Sequence, residues 1–178
     1  MMLSEKLYPQ RVFYYFEQIA AIPHGSRNTK AISDFLVNFA KEHNLVWYQD
    51  ENNNVVIVKE ASAGYEAAEP IIIQGHMDMV CEKEKGVDID FEKDGLKLYI
   101  DGDFLKAEGT TLGGDDGIAV AYALALLDSQ EIAHPKLEVV ITVDEEIGML
   151  GADAIDLSML TGHTMLNIDS DVEGSFLT

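Results

Sequence analysis

A histidine and an aspartate lie two positions apart, directly after an apolar segment. Residues 71–73 are three consecutive isoleucines, a pattern typical of a buried strand. Gly75 ends this run, and His76 and Asp78 follow it. A histidine beside a carboxylate is suited to bind a metal ion, because the carboxylate can hold its second ring nitrogen. A structural, hydrogen-bonding histidine is the alternative, and it is the commoner role for an isolated pair.

Three further acidic clusters favour the metal interpretation, because each follows an apolar strand or opens a helix. Asp115 and Asp116 lie between glycines before a predicted helix, where acids also serve as caps. Glu145 and Glu146 end one predicted strand, and Asp169 ends another. Adjacent residues of an extended chain point to opposite sides. One glutamate could therefore bind metal while the other faces substrate as a general base; an acidic turn is the alternative.

One histidine with several carboxylates and no cysteine favours a catalytic rather than a structural zinc site. Two metal ions could polarise a carbonyl and generate hydroxide near neutral pH. Zinc, cobalt and manganese suit overlapping sets of such ligands. Because crowded carboxylates repel one another, we expect a bound cation to stabilise the fold.

Residues 169–174 resemble the opening of a calcium-binding EF-hand loop. A strand rather than a helix is predicted before them. The glutamate required at the twelfth position would fall beyond Thr178. The sequence therefore disfavours an EF-hand.

Charge and composition exclude several classes of protein. The 178 residues include 12 basic and 32 acidic side chains, giving a net charge of −20. Such a field repels nucleic acid and anionic membranes, so we expect neither as a partner. Cys81 is the only cysteine, which excludes an internal disulfide and favours a reducing compartment, here the cytoplasm. The sequence shows no signal-peptide pattern and no apolar run long enough to span a bilayer.

Hydrophobic periodicity predicts one α/β domain, with a mostly parallel or mixed sheet flanked by helices. Helices are predicted over residues 4–21, 28–43, 118–127 and 152–160. Strands are predicted over residues 45–49, 55–59, 71–74, 137–143 and 164–168, with a hairpin formed by 96–100 and 104–107. Ligands of such sheets bind at the carboxyl ends of parallel strands. We therefore expect His76, Glu145 and Asp169 to lie along one edge.

Four motifs resemble, in order, those of the aminoacyl-histidine dipeptidases, also called Xaa-His or cytosol non-specific dipeptidases. They are Gly75-His-Met-Asp-Met-Val80, Thr111-Leu-Gly-Gly-Asp-Asp-Gly-Ile118, Val143-Asp-Glu-Glu-Ile-Gly148 and Asn167-Ile-Asp-Ser170. That family belongs to the co-catalytic di-zinc exopeptidases, with a hydrolase-like catalytic domain, and is related to glutamate carboxypeptidase and peptidase T.

The resemblance implies two zinc ions. It implies that His76 is a terminal ligand of one zinc and that Asp115 bridges both, with a cis peptide bond to Asp116. Glu146 would be a ligand of one zinc and Asp169 a ligand of the other.

The resemblance also implies two catalytic residues and a substrate. Asp78 would orient His76, and Glu145 would be the general base and acid in hydrolysis of an unblocked dipeptide. Two other functions stay open. One is a non-enzymatic acidic domain that binds metal or a partner, and the other is a related di-metal aminoacylase or deacetylase.

Members of the family are longer than this chain. The resemblance therefore implies that residues 1–178 form the N-terminal part of a metallopeptidase catalytic domain. The lid or dimerisation domain, the C-terminal part of the catalytic domain and a final zinc-binding histidine would be absent. The full-length enzyme is expected to be a homodimer. We expect this part alone to bind metal weakly and to have little or no peptidase activity.

Overall fold

The computed structural model describes residues 2–170, 174, 175, 177 and 178. After a short 3-10 helix, Leu3–Lys6, these residues contain four α-helices: α1 (Gln10–Ala20), α2 (Lys30–Glu42), α3 (Gly114–Asp128) and α4 (Leu150–Ala154). Their strands are β1 (Val46–Gln49), β2 (Val55–Lys59), β3 (Ile71–His76), β4 (Leu98–Asp101), β5 (Phe104–Ala107), β6 (Leu137–Thr142) and β7 (Thr164–Asn167). No helix among the described residues is long and apolar enough to cross a membrane.

Five strands form one mixed sheet in the order β1-β2-β6-β3-β7. Strand β2 is antiparallel to both β1 and β6, whereas β6, β3 and β7 run parallel. Strands β4 and β5 form a separate antiparallel hairpin, as predicted. The α/β class with a mixed sheet flanked by helices is confirmed.

The register of the three parallel strands brings the expected site to one edge. His76 pairs with Thr142, so the chain leaves β3 and β6 at the same level. Gln74 pairs with Asn167 at the end of β7, and Asp169 follows two residues later. The acidic turn after β6 and Asp169 after β7 therefore lie near His76, as the parallel arrangement predicts.

The main core lies on the face of the sheet covered by α1, α2 and α3. Helix α3 packs against α1 and β3, as expected from its nearly continuous apolar surface. Alternate strand residues face this layer, and the core includes Phe16, Ile19, Ile32, Leu36, Ile57, Ile73, Leu124 and Ile141. The opposite face carries a smaller cluster formed by Val56, Val58 and Val140, with Ile155 and Leu160 packed against it.

Three predicted helices have clearly different bounds in the structure. The helix predicted over 118–127 begins earlier, at Gly114, although Asp115 and Asp116 in its first turn have non-helical backbone angles. The helix predicted over residues 4–21 is interrupted before Gln10. Pro9 itself has extended backbone angles (φ −71°, ψ 123°). Tyr8 is also disfavoured from the helical region, because it precedes a proline. The helix predicted over 152–160 is shorter and begins earlier. It ends at Ala154 because Ile155 is extended and the Asp156 carboxylate accepts a hydrogen bond from Ser158 N at 2.8 Å, closing a turn.

The segment that resembles an EF-hand opening follows strand β7 and not a helix, as the sequence predicts. Residues 171–173 of that segment lie outside the described part of the chain.

Candidate metal centre

His76 ends β3 with only 1% of its side chain exposed. Its Nδ1 lies 2.9 Å from the main-chain oxygen of Asp78, and a carbonyl oxygen can only accept, so Nδ1 donates. Nε2 therefore points toward the site, 3.0 Å from Asp115 Oδ1 and 3.9 Å from Glu145 Oε2. This is the ring orientation that a metal-binding histidine requires.

The acids around His76 favour a positive charge at this position. Burial lowers the pKa of His76, but the hydrogen bond to Asp78 and the charge of Asp116 outweigh this effect and raise the pKa to about 9. A cation bound at Nε2 would be attracted by the same acidic groups.

The first turn of α3 contains Asp115 and Asp116 in non-helical conformations and presents the two aspartates in opposite ways. Gly113 adopts the left-handed conformation (φ 66°), and the peptide bond between Asp115 and Asp116 is cis, as the resemblance implied. The Asp115 side chain is 65% exposed and faces His76. Asp116 is buried, and its Oδ2 accepts a hydrogen bond from His76 N at 3.1 Å.

Asp116 lies beneath β3 in very little space. Burial raises the pKa of its carboxyl to about 8, and the nearby charges of Asp169 and Asp115 act in the same direction. A Cβ atom at Gly75 would lie 2.6 Å from Asp116 Oδ2 and 2.9 Å from Ala119 Cβ. The close approach of β3 to this carboxyl therefore requires glycine at position 75.

Asp78 holds more of the site than its expected role of orienting His76. Its side chain is fully buried, with Oδ1 3.4 Å from His76 Nδ1. Oδ1 also accepts a hydrogen bond from Glu145 N at 3.0 Å, and Oδ2 accepts from Glu146 N at 3.4 Å and Ser26 Oγ at 2.8 Å. Burial raises the pKa of Asp78, but the donors from His76, Ser26 and Glu145 lower it more, so the group is a carboxylate.

The turn after β6 carries the two glutamates. Asp144 begins it in the left-handed conformation (φ 54°), which turns the chain sharply after Val143. The Glu145 side chain is 33% exposed. Burial raises the pKa of Glu146, and the neighbouring charge of Asp115 raises it further.

Two groups of side chains could each hold a cation. Ligand atoms of His76, Asp115 and Glu146 lie within 4.8 Å of one another, and so do those of His76, Asp116 and Asp169. All four predicted metal ligands therefore contribute to one group or the other, and the predicted catalytic residues Asp78 and Glu145 adjoin them. One imidazole with several carboxylates and no thiolate fits zinc, cobalt or manganese.

Two residues of the site were not assigned these positions from the sequence. Asp116 was not among the predicted metal ligands, yet it joins the group that contains Asp169. Ser26 lies 52 positions before Asp78, and no local pattern marks it. Three other histidines have partners away from these groups. His24 contacts the main-chain oxygen of Ile22, and His134 contacts that of Pro135. His43 lies beside the carboxylate of Asp128.

Known proteins resemble this chain in both sequence and structure. Residues 72–173 match the family described as Peptidase family M20/M25/M40. The chain belongs to this peptidase family. It is 40% identical over 169 residues to the "Cytosol non-specific dipeptidase" of Escherichia coli (strain K12). The aligned region covers 95% of this chain and 35% of that protein. "Peptidase T" of Caldanaerobacter subterraneus is 32% identical over 114 residues, covering 60% of this chain and 28% of that protein.

A solved M20/M25/M40 structure has nearly the same fold. The "Aminoacylhistidine Dipeptidase from Vibrio alginolyticus" superposes with a TM-score of 0.92 at 40% identity, covering 96% of this chain and 35% of that protein. A tripeptidase of Staphylococcus aureus superposes with a TM-score of 0.76 at 24% identity, which supports the fold alone. The present chain spans about a third of the length of the two dipeptidases.

Proposed function

We propose that this chain supplies part of the catalytic domain of a metal-dependent dipeptidase with two divalent ions. The observation that carries the proposal is the convergence of His76, Asp115 and Glu146, whose ligand atoms lie within 4.8 Å of one another. Because the chain belongs to a peptidase family, the reaction proposed for this edge of the sheet is hydrolysis of a peptide bond. Because the chain matches 35% of the dipeptidases' length, the proposed activity is that of the whole protein.

Glu146 would be a ligand of one ion and Asp169 of the other, with Asp115 shared by both and His76 a terminal ligand of one of them. Zinc is the proposed metal, and cobalt and manganese suit the same donors. Bound divalent ions supply Lewis acidity, which polarises the scissile carbonyl and lowers the pKa of water. Buried Asp78 fixes the His76 ring with Nε2 directed at the site.

Glu145 is the proposed general base and acid. Its carboxylate lies 3.9 Å from His76 Nε2 at the rim of the site, and it is partly open to solvent. The Asp78 carboxylate holds the Glu145 main-chain N–H, which fixes where this side chain begins. Glu145 would take a proton from the attacking water and donate it to the leaving amine.

The proposed substrate is an unblocked dipeptide of the aminoacyl-histidine type. The 40% identity to a cytosol non-specific dipeptidase and to an aminoacylhistidine dipeptidase supports this substrate class. The same similarity supports a cytosolic location, and we propose a homodimer for the whole protein. A di-metal aminoacylase is the competing activity, and hydrolysis of aminoacyl-histidine dipeptides against N-acyl amino acids separates the two.

Zinc uptake by equilibrium dialysis tests the metal centre directly. We expect Asp115→Ala to reduce zinc uptake, because the variant removes a ligand shared by both ions. Asp103→Ala is the matched control: it removes the same charge from the exposed turn of the β4–β5 hairpin. Unchanged uptake by Asp115→Ala would argue against the bridging role.

Activity of the full-length protein tests the role of Glu145. Glu145→Gln should lower kcat by about 10²- to 10⁴-fold while zinc content stays constant, because it removes the proton acceptor and no proposed ligand. A variant that keeps its kcat would remove Glu145 from the mechanism.

A further inference from the structure

The Ser26 hydroxyl reaches the centre of the site from a loop between α1 and α2. Ser26 Oγ donates to Asp78 Oδ2 at 2.8 Å, although the two residues are 52 positions apart. The Asp78 side chain is fully buried, so this hydroxyl meets a carboxylate without competing bulk solvent. A hydrogen bond to a buried charge is stronger than one between neutral groups.

The loop is held in place by bonds that do not involve the hydroxyl. The Met79 main-chain N–H donates to His24 O at 3.2 Å, and Gly25 forms a parallel bridge with Met79. On the other side of Ser26, the Arg27 main-chain N–H donates to Asp144 Oδ1 at 2.6 Å. We therefore expect the chain to keep its path when the hydroxyl is removed.

Asp78 Oδ2 has two donors, and Ser26 is the closer one. The other is Glu146 N, at 3.4 Å. The second oxygen, Oδ1, accepts from Glu145 N at 3.0 Å and lies 3.4 Å from His76 Nδ1. Rotation of this carboxylate would therefore disturb the main chain of both glutamates together, whereas the His76 ring keeps its closer acceptor, Asp78 O at 2.9 Å.

We propose that Ser26 is a positioning residue of the metal centre. Its hydroxyl fixes the rotation of the Asp78 carboxylate, which in turn holds the turn that carries Glu145 and the proposed ligand Glu146. The proposal concerning metal affinity rests on the proposed function. The part concerning the turn does not, because Ser26 is linked to the Glu145 and Glu146 amides through Asp78 by hydrogen bonds alone.

Three variants of the 178-residue chain separate positioning from general stability. Ser26→Ala removes the hydroxyl, and Ser26→Thr keeps it at a half-buried position. Ser33→Ala is the matched control, because Ser33 is fully buried in α2 and its Oγ donates at 2.7 Å to Asn53 O, outside the candidate metal centre. Amide hydrogen exchange at Glu145 and Glu146 is measured by NMR without metal, and zinc affinity by titration calorimetry.

Ser26→Ala should speed exchange at the Glu145 and Glu146 amides about five-fold, the effect of losing roughly one net hydrogen bond. It should also weaken zinc binding by about ten-fold, as is typical when a residue behind a metal ligand is removed. Ser26→Thr should stay within about three-fold of the parent chain in zinc affinity, and Ser33→Ala should change neither measurement at the site.

Two results would overturn the proposal. One is parent-like exchange and zinc affinity in Ser26→Ala, and the other is an equal loss of zinc affinity in Ser33→Ala. If the parent chain bound no zinc, the part of the proposal that concerns metal affinity would fail, and amide exchange would still decide whether Ser26 positions the turn.

Discussion

Glu138 gives the sharpest stability prediction, because a single buried carboxylate ties β6 to the segment before β7. Its side chain is fully buried and accepts hydrogen bonds from Lys136 Nζ at 2.7 Å and Thr161 Oγ1 at 2.6 Å. The main-chain N–H groups of Thr161 and Gly162 also donate to it, each at 2.9 Å to Oε2. Strand β7, which leads to Asp169, begins two residues after Gly162.

The hydrogen bonds determine how much this group stabilises the fold. Burial raises the pKa of Glu138, but the donors from Lys136, Thr161 and Gly162 lower it from 4.5 to about 2. A difference of about 2.5 pKa units corresponds to roughly 3 kcal/mol of stability at pH 7. Because the folded pKa is the lower one, the contribution is complete above pH 5 and decreases as the pH falls toward 2. At pH 3 about 1.4 kcal/mol of it should remain.

Urea unfolding of Glu138→Gln from pH 3 to pH 7 measures this contribution. At pH 7 we expect the free energy of unfolding of the variant to fall by about 3 kcal/mol, because the N–H groups of the new amide would face other donors. At pH 3 the loss should be less than half of that. Glu60→Gln, at an exposed position, is the control for charge alone. A loss below about 0.5 kcal/mol at pH 7, or a loss that does not shrink at low pH, would refute this reasoning.

Three other perturbations follow from the structure. Gly75→Ala should cost about 1–3 kcal/mol in urea unfolding, because its Cβ would lie 2.6 Å from Asp116 Oδ2, and a parent-like midpoint would contradict this. Asn54→Ala should cost about 2 kcal/mol, because the buried amide accepts from Val143 N at 3.0 Å and donates to Gly151 O at 3.1 Å. Zinc at about 100 times its Kd should raise Tm by roughly 5–10 °C, by relieving repulsion among the carboxylates, and calorimetry showing no shift would count against the site.

The sequence was sufficient to predict the sheet and the edge at which the site forms. Apolar β-branched runs located β2, β3 and β6, and the parallel rule placed the residues that follow them together. The helix bounds were harder to predict, because they depend on local competition. Pro9 displaced the start of α1, and the Asp156 turn ended α4, although the hydrophobic spacing continued past both.

The contacts behind the site could not be predicted from the sequence, because they join distant segments. The role of Asp78 in holding Glu145 N depends on a contact between residues 67 positions apart. Ser26 reaches Asp78 only because the loop after α1 pairs with Met79. The position of Asp116 beneath Gly75 depends on how closely α3 packs against β3. Each contact is set by tertiary packing, which leaves no periodic signal in the chain.

Side chains from three strand ends and one helix start are proposed to hold a pair of divalent ions together. Anomalous diffraction at the zinc edge, from crystals soaked in zinc, can locate these ions. We predict two zinc peaks at this edge of the sheet, with His76, Asp115, Glu146 and Asp169 as ligands and Asp115 contacting both ions. An ordered site without zinc, or zinc bound only by other residues, would contradict it.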